Sequence, residues 1–305
     1  IKNDEVGKII VNAKLFYEII RKLPEGNIEF FTDESKKLHI KNLNSEFELE
    51  YLEEEKFPFA KEVKGEKFSF DRDILCNMIK KSSSCVSRES TKNALRGLYI
   101  EINKTGISLV GSDGYRIAIT KENIINEQEK DILVPVENIL NIEKILREEK
   151  ETVELIIGEK DIKFELKEGE IYLKLLEGTY IDYKKPFLEE MKTEVIINKN
   201  DLINAVERMY LLSPEKKNNK IIMRLINNLL KIETNSDIGY AKEEIIVDKM
   251  GEDNEFAINC KFLLDAIKNI DGEELKLKIG KNERFILIEE VENDRSQFLI
   301  MNLKK

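Results

Sequence analysis

Apolar and polar residues alternate along this chain in two rhythms, and the rhythms recur in a fixed order. A short apolar run, Ile9-Ile10-Val11, is followed by Leu15, Phe16, Ile19, Ile20 and Leu23. The spacing i, i+1, i+4, i+5, i+8 marks one face of a helix. The same order appears near the other end, where Phe256-Ala257-Ile258 precedes Phe262, Leu263, Ala266, Ile267 and Ile270. Asn12 and Asn259 stand at matching places and are expected N-caps. A third copy starts at Ile132-Leu133-Val134-Pro135-Val136 and runs through Ile139, Ile142 and Leu146. Weaker copies open at Lys67-Phe68-Ser69-Phe70 and Val195-Ile196-Ile197-Asn198. After each helix the rhythm changes to period two, as in Ile162, Phe164, Leu166 and then Ile171, Leu173, Leu175, which predicts half-buried antiparallel strands.

The expected fold class is therefore α+β, built from repeated strand-helix-strands units. Five units are expected, starting near residues 8, 67, 131, 194 and 255. They pair in order as three similar domains, the first with only its second half: 1–63, 64–190 and 191–305. The boundaries fall near Pro58–Gly65 and Pro186–Lys192, where Pro, Gly and charge break the pattern.

The charge balance argues against nucleic acid at first. Fifty Lys and Arg stand against 60 Asp and Glu, a net charge of -10, whereas DNA-binding domains tend to be basic. Its distribution changes the picture. Basic residues lie off the apolar helix faces: Lys14 and Arg21; Lys80, Lys81 and Arg88; Lys144 and Arg147; Lys199 and Arg208; Lys261 and Lys268. Acidic residues crowd strands and loops, as in Glu53-Glu54-Glu55 and Glu243-Glu244. Helices that share a surface would attract phosphates without reading bases, although Glu18, Glu143, Glu207 and Asp265 dilute it. A solvated helix face is the plainer alternative.

Little points to catalysis. The single histidine, His39, lies between Leu38 and Ile40 of an expected strand and reads as structural. Neither phosphate-cradling glycine loops nor a nucleophile elbow is present, and no cofactor or metal is expected. Three scattered cysteines, Cys76, Cys85 and Cys260, favour a reducing, cytoplasmic setting over a disulfide framework. The polar start Ile1-Lys2-Asn3-Asp4-Glu5 lacks an apolar leader, and no run is long enough to span a membrane. Ser112-Asp113-Gly114-Tyr115-Arg116 reads as a tight turn between two strands. The closing Phe298-Leu299-Ile300-Met301 reads as a last sheet strand, or as part of an apolar groove.

Several stretches together resemble one family. Leu95-Arg96-Gly97-Leu98-Tyr99-Ile100-Glu101, Ser112 to Ala118, Glu177-Gly178-Thr179-Tyr180-Ile181-Asp182-Tyr183, Phe256-Ala257-Ile258-Asn259 with Leu263-Leu264-Asp265-Ala266, and Phe298 to Met301 stand in the order found in the bacterial sliding clamps, the beta subunits of DNA polymerase III. The resemblance implies the DNA-clamp fold, with helices lining a ring and sheets outside it. It implies a non-catalytic processivity factor that encircles double-stranded DNA as a homodimer. Its implied partners are the replicative polymerase, the clamp loader and other proteins that carry a clamp-binding peptide.

Carried over by position, the peptide groove would comprise Leu95, Ser112, Gly114, Tyr115, Arg116, Ile117, Ile181, Lys185, Pro186, Leu299, Met301 and Leu303. The helix cations above would face DNA. Phe47 and Leu49 would meet Leu211 and Leu212 of a second copy. The chain departs from the family pattern at Tyr115, where His is frequent, and at Ile181 and Asn302, where Pro is usual; Lys304-Lys305 replaces an Arg-Leu ending. A different peptide preference is implied. Two rivals follow from the residues: a peptide-binding adaptor that ignores DNA, and a hydrolase using Asp113 with Arg116.

Overall fold

The computed structural model describes residues 7–53, 62–149, 151–215 and 218–304. Glu54, Glu55, Phe57, Pro58, Lys150 and Lys305 lie outside the described residues. The chain divides into two compact units, 1–62 and 63–305.

In the first unit, β1 (Ile9–Ile10) pairs with β5 (Leu52–Glu53). Helix α1 (Ala13–Lys22) starts at Asn12, whose side chain accepts from the Leu15 amide as expected of an N-cap. Strands β2 (Glu29–Thr32), β3 (Lys37–Asn42) and β4 (Ser45–Glu50) form an antiparallel sheet in chain order. Only β3 buries one whole face, through Leu38, Ile40 and Asn42. Helix α1 is amphipathic yet has no buried residue, and Leu15 and Tyr17 are exposed. A single strand-helix-strands repeat has one apolar face and no second layer of its own to cover it. His39 is structural: Nε2 lies 3.0 Å from Asp33 Oδ2, and its ring stacks on Phe31 at 4.6 Å.

The second unit holds the other four repeats. The first two are β6 (Glu66–Asp71), α2 (Arg72–Ser83), the one-turn α3 (Asn93–Arg96), β7 (Gly97–Asn103), β8 (Gly106–Ser112) and β9 (Arg116–Glu122); then β10 (Lys130–Pro135), α4 (Val136–Leu146), β11 (Thr152–Ile157), β12 (Asp161–Leu166) and β13 (Gly169–Lys174). A 3-10 helix, Lys185–Leu188, follows. The last two are β14 (Met191–Asn198), α5 (Lys199–Leu212), β15 (Lys220–Ile226), β16 (Leu229–Ser236), β17 (Gly239–Ile246) and β18 (Asp248–Gly251); then β19 (Asn254–Asn259), α6 (Cys260–Lys268), β20 (Glu274–Gly280), β21 (Phe285–Glu290) and β22 (Ser296–Met301). Side chains of Asp71, Asn198 and Asn259 cap α2, α5 and α6; Pro135, at the head of α4, has no side-chain oxygen to offer.

Neighbouring repeats interlock. The strand that opens each repeat pairs with a strand of its neighbour: β6 with β11, β10 with β7, β14 with β20, β19 with β15. Each pair of repeats thus closes around one helix pair, α2 with α4 and α5 with α6. Two four-stranded sheets, β13-β12-β11-β6 and β17-β16-β15-β19, flank one nine-stranded sheet, β10-β7-β8-β9-β22-β21-β20-β14-β18. The large sheet is continuous because β22 pairs with β9. One apolar core lies against α2 and α4 and another against α5 and α6. A third, around Val110, Ile117, Phe285, Leu287 and Leu299, lies on the opposite face of the large sheet. Alternation along β22 sends Phe298 and Ile300 to one face and Leu299 to the other. Both faces are covered, which accounts for the unbroken apolar run in the sequence.

The three cysteines are buried and free. Burial pushes the Cys76 thiol up to about 11 and the Cys85 thiol up to about 12. Among the described residues, no helix is long and apolar enough to cross a membrane.

Candidate functional site

The three residues between β8 and β9 form a turn held by its own side chains. Asp113 Oδ1 accepts from the amides of Tyr115 at 2.9 Å and Arg116 at 3.1 Å, an Asx-type turn. Ser112 Oγ donates to the Arg116 carbonyl at 2.9 Å and accepts from the Gly114 amide at 3.1 Å. Gly114 has φ +92°, a backbone that favours glycine. The result projects Tyr115 into solvent, 67% exposed. Beside it, the Met301 amide donates to the Tyr115 carbonyl at 2.9 Å, so Met301, 45% exposed, lies next to the turn. Leu303 is fixed one step further on, where its amide donates to the Ala257 carbonyl at 2.8 Å. The Leu95 side chain lies close to Gly114.

The residues expected to line a groove separate into two tiers. Tyr115, Gly114, Met301, Leu303, Leu95 and Ile181 keep exposed or half-exposed surface. Ser112, Ile117 and Leu299 do not: Ile117 and Leu299 face each other across β9 and β22 inside the third core, and Ser112 is fully buried. These three support the surface from below because alternation turns them inward. Ile181 packs against the same core, and so does Phe187 of the 3-10 helix that carries Lys185 and Pro186. Tyr180 ties this connector down by donating to the Val110 carbonyl at 3.1 Å, and Tyr183 donates to Glu101. Tyr99 stacks on Tyr180 at 4.5 Å, so three tyrosines anchor the connector to this core, a role that no local spacing in the sequence marks.

Arg116 is the most constrained group at the site. Its Nε donates to Asp113 Oδ2 at 2.9 Å, its Nη1 to Asp265 Oδ2 at 2.7 Å, and its guanidinium lies 4.2 Å from the Phe262 ring centroid. Asp113 is thus occupied as a turn-former and counter-ion, a structural account of the residue that suggested a hydrolase. Asp265 and Phe262 belong to α6 and could not be assigned to this cluster from sequence, since nothing local marks them.

The helix cations also separate. Lys14, Lys80, Lys144 and Lys261 are exposed, and among the described residues none has an ion-pair partner. Arg21 pairs with Glu18, Arg88 of the loop after α2 with Glu137, Arg208 with Glu243 and Lys268 with Glu207, all near the surface, whereas Arg147 pairs with the buried Glu143. The four surface pairs are weak and can exchange for a phosphate. Lys199 Nζ donates to the Ile270 carbonyl at 3.0 Å. Lys81 is a correction: it is 5% exposed, with Nζ 2.6 Å from Asp271, 3.5 Å from Glu290 and 3.0 Å from Ser296 Oγ. It ties α2 to the last repeat and is not available to a phosphate. Between α5 and α6 lies a cleft lined by Arg208, Lys261 and Lys268 together with Tyr210, Glu207 and Asp265.

Of the residues expected at a dimer contact, Phe47 is exposed and Leu49 half-buried on β4, an edge strand of its sheet. In the second unit, Leu211 is 76% exposed at the end of α5, and Leu212 lies beside Gly239.

Three family models match the chain in order: the N-terminal domain of the DNA polymerase III beta subunit over residues 1–61, its central domain over 69–182 and its C-terminal domain over 185–304. The chain belongs to the DNA polymerase III beta subunit family. The beta sliding clamp of Bacillus subtilis is 26% identical over 291 residues, covering 93% of this chain and 77% of that protein. The beta sliding clamp of Staphylococcus epidermidis is 27% identical over 301 residues, covering 97% and 80%. Among solved structures, the DNA polymerase III subunit beta of Pseudomonas aeruginosa superposes with a TM-score of 0.91 at 28% identity, covering 100% of this chain and 85% of that one. The sliding clamp of Bacillus subtilis gives 0.91 at 25% identity, with 100% and 84% covered. The DNA-clamp fold implied by the resemblance is the fold of this beta subunit family member.

Proposed function

We propose that this chain works in the cytoplasm as a sliding clamp, a processivity factor for the replicative DNA polymerase. Two copies close head to tail around duplex DNA, and the ring holds by topology. It has no chemistry of its own. The observation that carries the reading is the match of all three beta subunit domains, in order, along the chain. Three domains, 1–63, 64–190 and 191–305, then supply the ring wall. The exposed lysines of the helices provide local positive potential that a net acidic chain otherwise lacks. Phe47 and Leu49 on an open edge strand offer apolar, strand-to-strand association to Leu211 and Leu212 of the second copy.

Topological holding has a direct test. The full chain, placed on nicked circular DNA with its loader and ATP, is expected to stay with the circle through gel filtration and to leave once the circle is cut. Retention that is indifferent to cutting would argue for ordinary DNA binding, and no retention at all would favour the adaptor.

The surface formed by Tyr115, Gly114, Met301, Leu303, Leu95 and Ile181 takes the peptide by which polymerases, the loader and other partners dock. Supporting this are an exposed aromatic and an exposed, adaptable methionine fixed side by side over a packed floor. Replacing Met301 and Leu303 together with alanine is expected to weaken a Gln-Leu-x-Leu-Phe peptide on the order of 30-fold, as loss of a hot spot does. Calorimetric titration measures it, with melting curves as the folding control. Equal affinities would remove these two residues from the groove.

A further inference from the structure

Arg116 of the proposed groove and the basic face of α6 share a counter-ion. Asp265 lies four residues after Lys261 and three before Lys268, so the three side chains occupy one helix face. The cleft between α5 and α6 is lined by all three together with Arg208. One oxygen of Asp265 accepts from Arg116 at 2.7 Å, while the carboxylate retains 39% of its exposure and Arg116 only 12%. Asp265 therefore has two neighbourhoods. Behind it stands a nearly buried guanidinium that belongs to the turn; around it stand the cations of the cleft.

We propose that Asp265 couples the two sites, so that an acidic peptide drawing on Arg116 and a polyanion held by the α5–α6 cleft oppose one another. The proposal rests on the groove and helix face described above. While Arg116 holds Asp265, and Glu207 and Glu243 hold Lys268 and Arg208, Lys261 stays the unpaired cation of the cleft among the described residues, and the cleft is attractive to phosphate. A ligand carboxylate that shares the guanidinium loosens that hold. Asp265 then acts on the cleft at full charge, well within the screening distance of about 8–10 Å. Linkage requires the reverse as well: phosphate in the cleft repels Asp265 toward Arg116 and leaves less of the guanidinium for a ligand. A neutral peptide makes no claim on Arg116 and has no such effect.

The test uses the full chain and a short fluorescent duplex, its affinity read by anisotropy at fixed low salt. The peptides are acetyl-Gln-Leu-Asp-Leu-Phe with a free carboxylate and its Asn-containing amide. Calorimetry first establishes that each peptide binds. Saturating acidic peptide is expected to weaken duplex binding about fivefold, the low end for coupled sites; the neutral peptide is expected to leave it unchanged. In Asp265→Asn the free protein is expected to bind duplex more tightly, and neither peptide changes that affinity. An acidic peptide that binds the wild type without altering duplex affinity overturns the coupling and leaves the groove intact. A peptide effect that persists in Asp265→Asn overturns the role of Asp265. Failure of both peptides to bind overturns the groove itself. The wild-type comparison of the two peptides stands even if the variant fails to fold.

Discussion

Phe298→Ala is expected to lower the stability of the second unit by about 3–5 kcal/mol, the range for removing a buried phenylalanine. Phe298 has no exposed surface. It lies on β22, opposite Ala118 of β9 on one side and Ile288 of β21 on the other. Opposite the small Ala118, alanine at 298 leaves two short side chains facing each other and a cavity between them. The strand is also the seam between the two pairs of repeats in the second unit, because β9–β22 is the pairing that joins their sheets. Chemical denaturation should therefore show a lower midpoint, and peptide binding should fall with it, since Tyr115 and Met301 are registered across the same seam. An unchanged midpoint would mean that the large sheet does not depend on this strand.

Lys81→Ala is expected to cost about 3 kcal/mol, while Lys80→Ala leaves stability unchanged and weakens DNA contact. The adjacent lysines point a helical step apart, one outward and one into the seam. Lys81 Nζ sits among Asp271, Glu290 and Ser296, and Glu290 is itself only 14% exposed. Removing the ammonium strands a nearly buried carboxylate, which costs about 3–5 kcal/mol in a fully buried pair; the exposure of Asp271 places this case at the low end. Lys80 should instead reduce the slope of log affinity against log salt by about 0.9 on duplex DNA. Urea unfolding and a salt titration of duplex binding separate the two roles. Equal behaviour of the two variants in both measurements would refute the assignment.

The contrast between these lysines shows where sequence reading reached and where it stopped. Repeats, helix spans and the caps at Asn12 and Asn259 were legible because they are local: periodicity and a side chain three residues from its partner carry them. The turn at Ser112 to Arg116 was legible for the same reason. The partners of Lys81 come from the far end of the chain, and so does the Asp265 that holds Arg116, so no spacing rule could find them. A partial signal existed for Lys81. It follows Met78 by three residues and Ile79 by two, on the flank of the buried stripe of α2. Grouping it with Lys80 by adjacency ignored that neighbours on a helix face different ways. Likewise, the inward tier of the proposed groove follows from strand alternation at Ile117 and Leu299, which becomes decisive only once both faces of the large sheet are known to be covered.

The pairing of β9 with β22 also sets a schedule for biosynthesis. As the chain leaves the ribosome, β9 emerges long before β22 is translated. Until then the β10-β7-β8-β9 sheet ends in an open strand edge bearing Ile117 and Ile119. Open apolar edges invite pairing with other chains, and partly made proteins are exposed to that hazard. The nascent chain therefore passes through an interval in which its central sheet is unsealed, and completion of one late strand ends it.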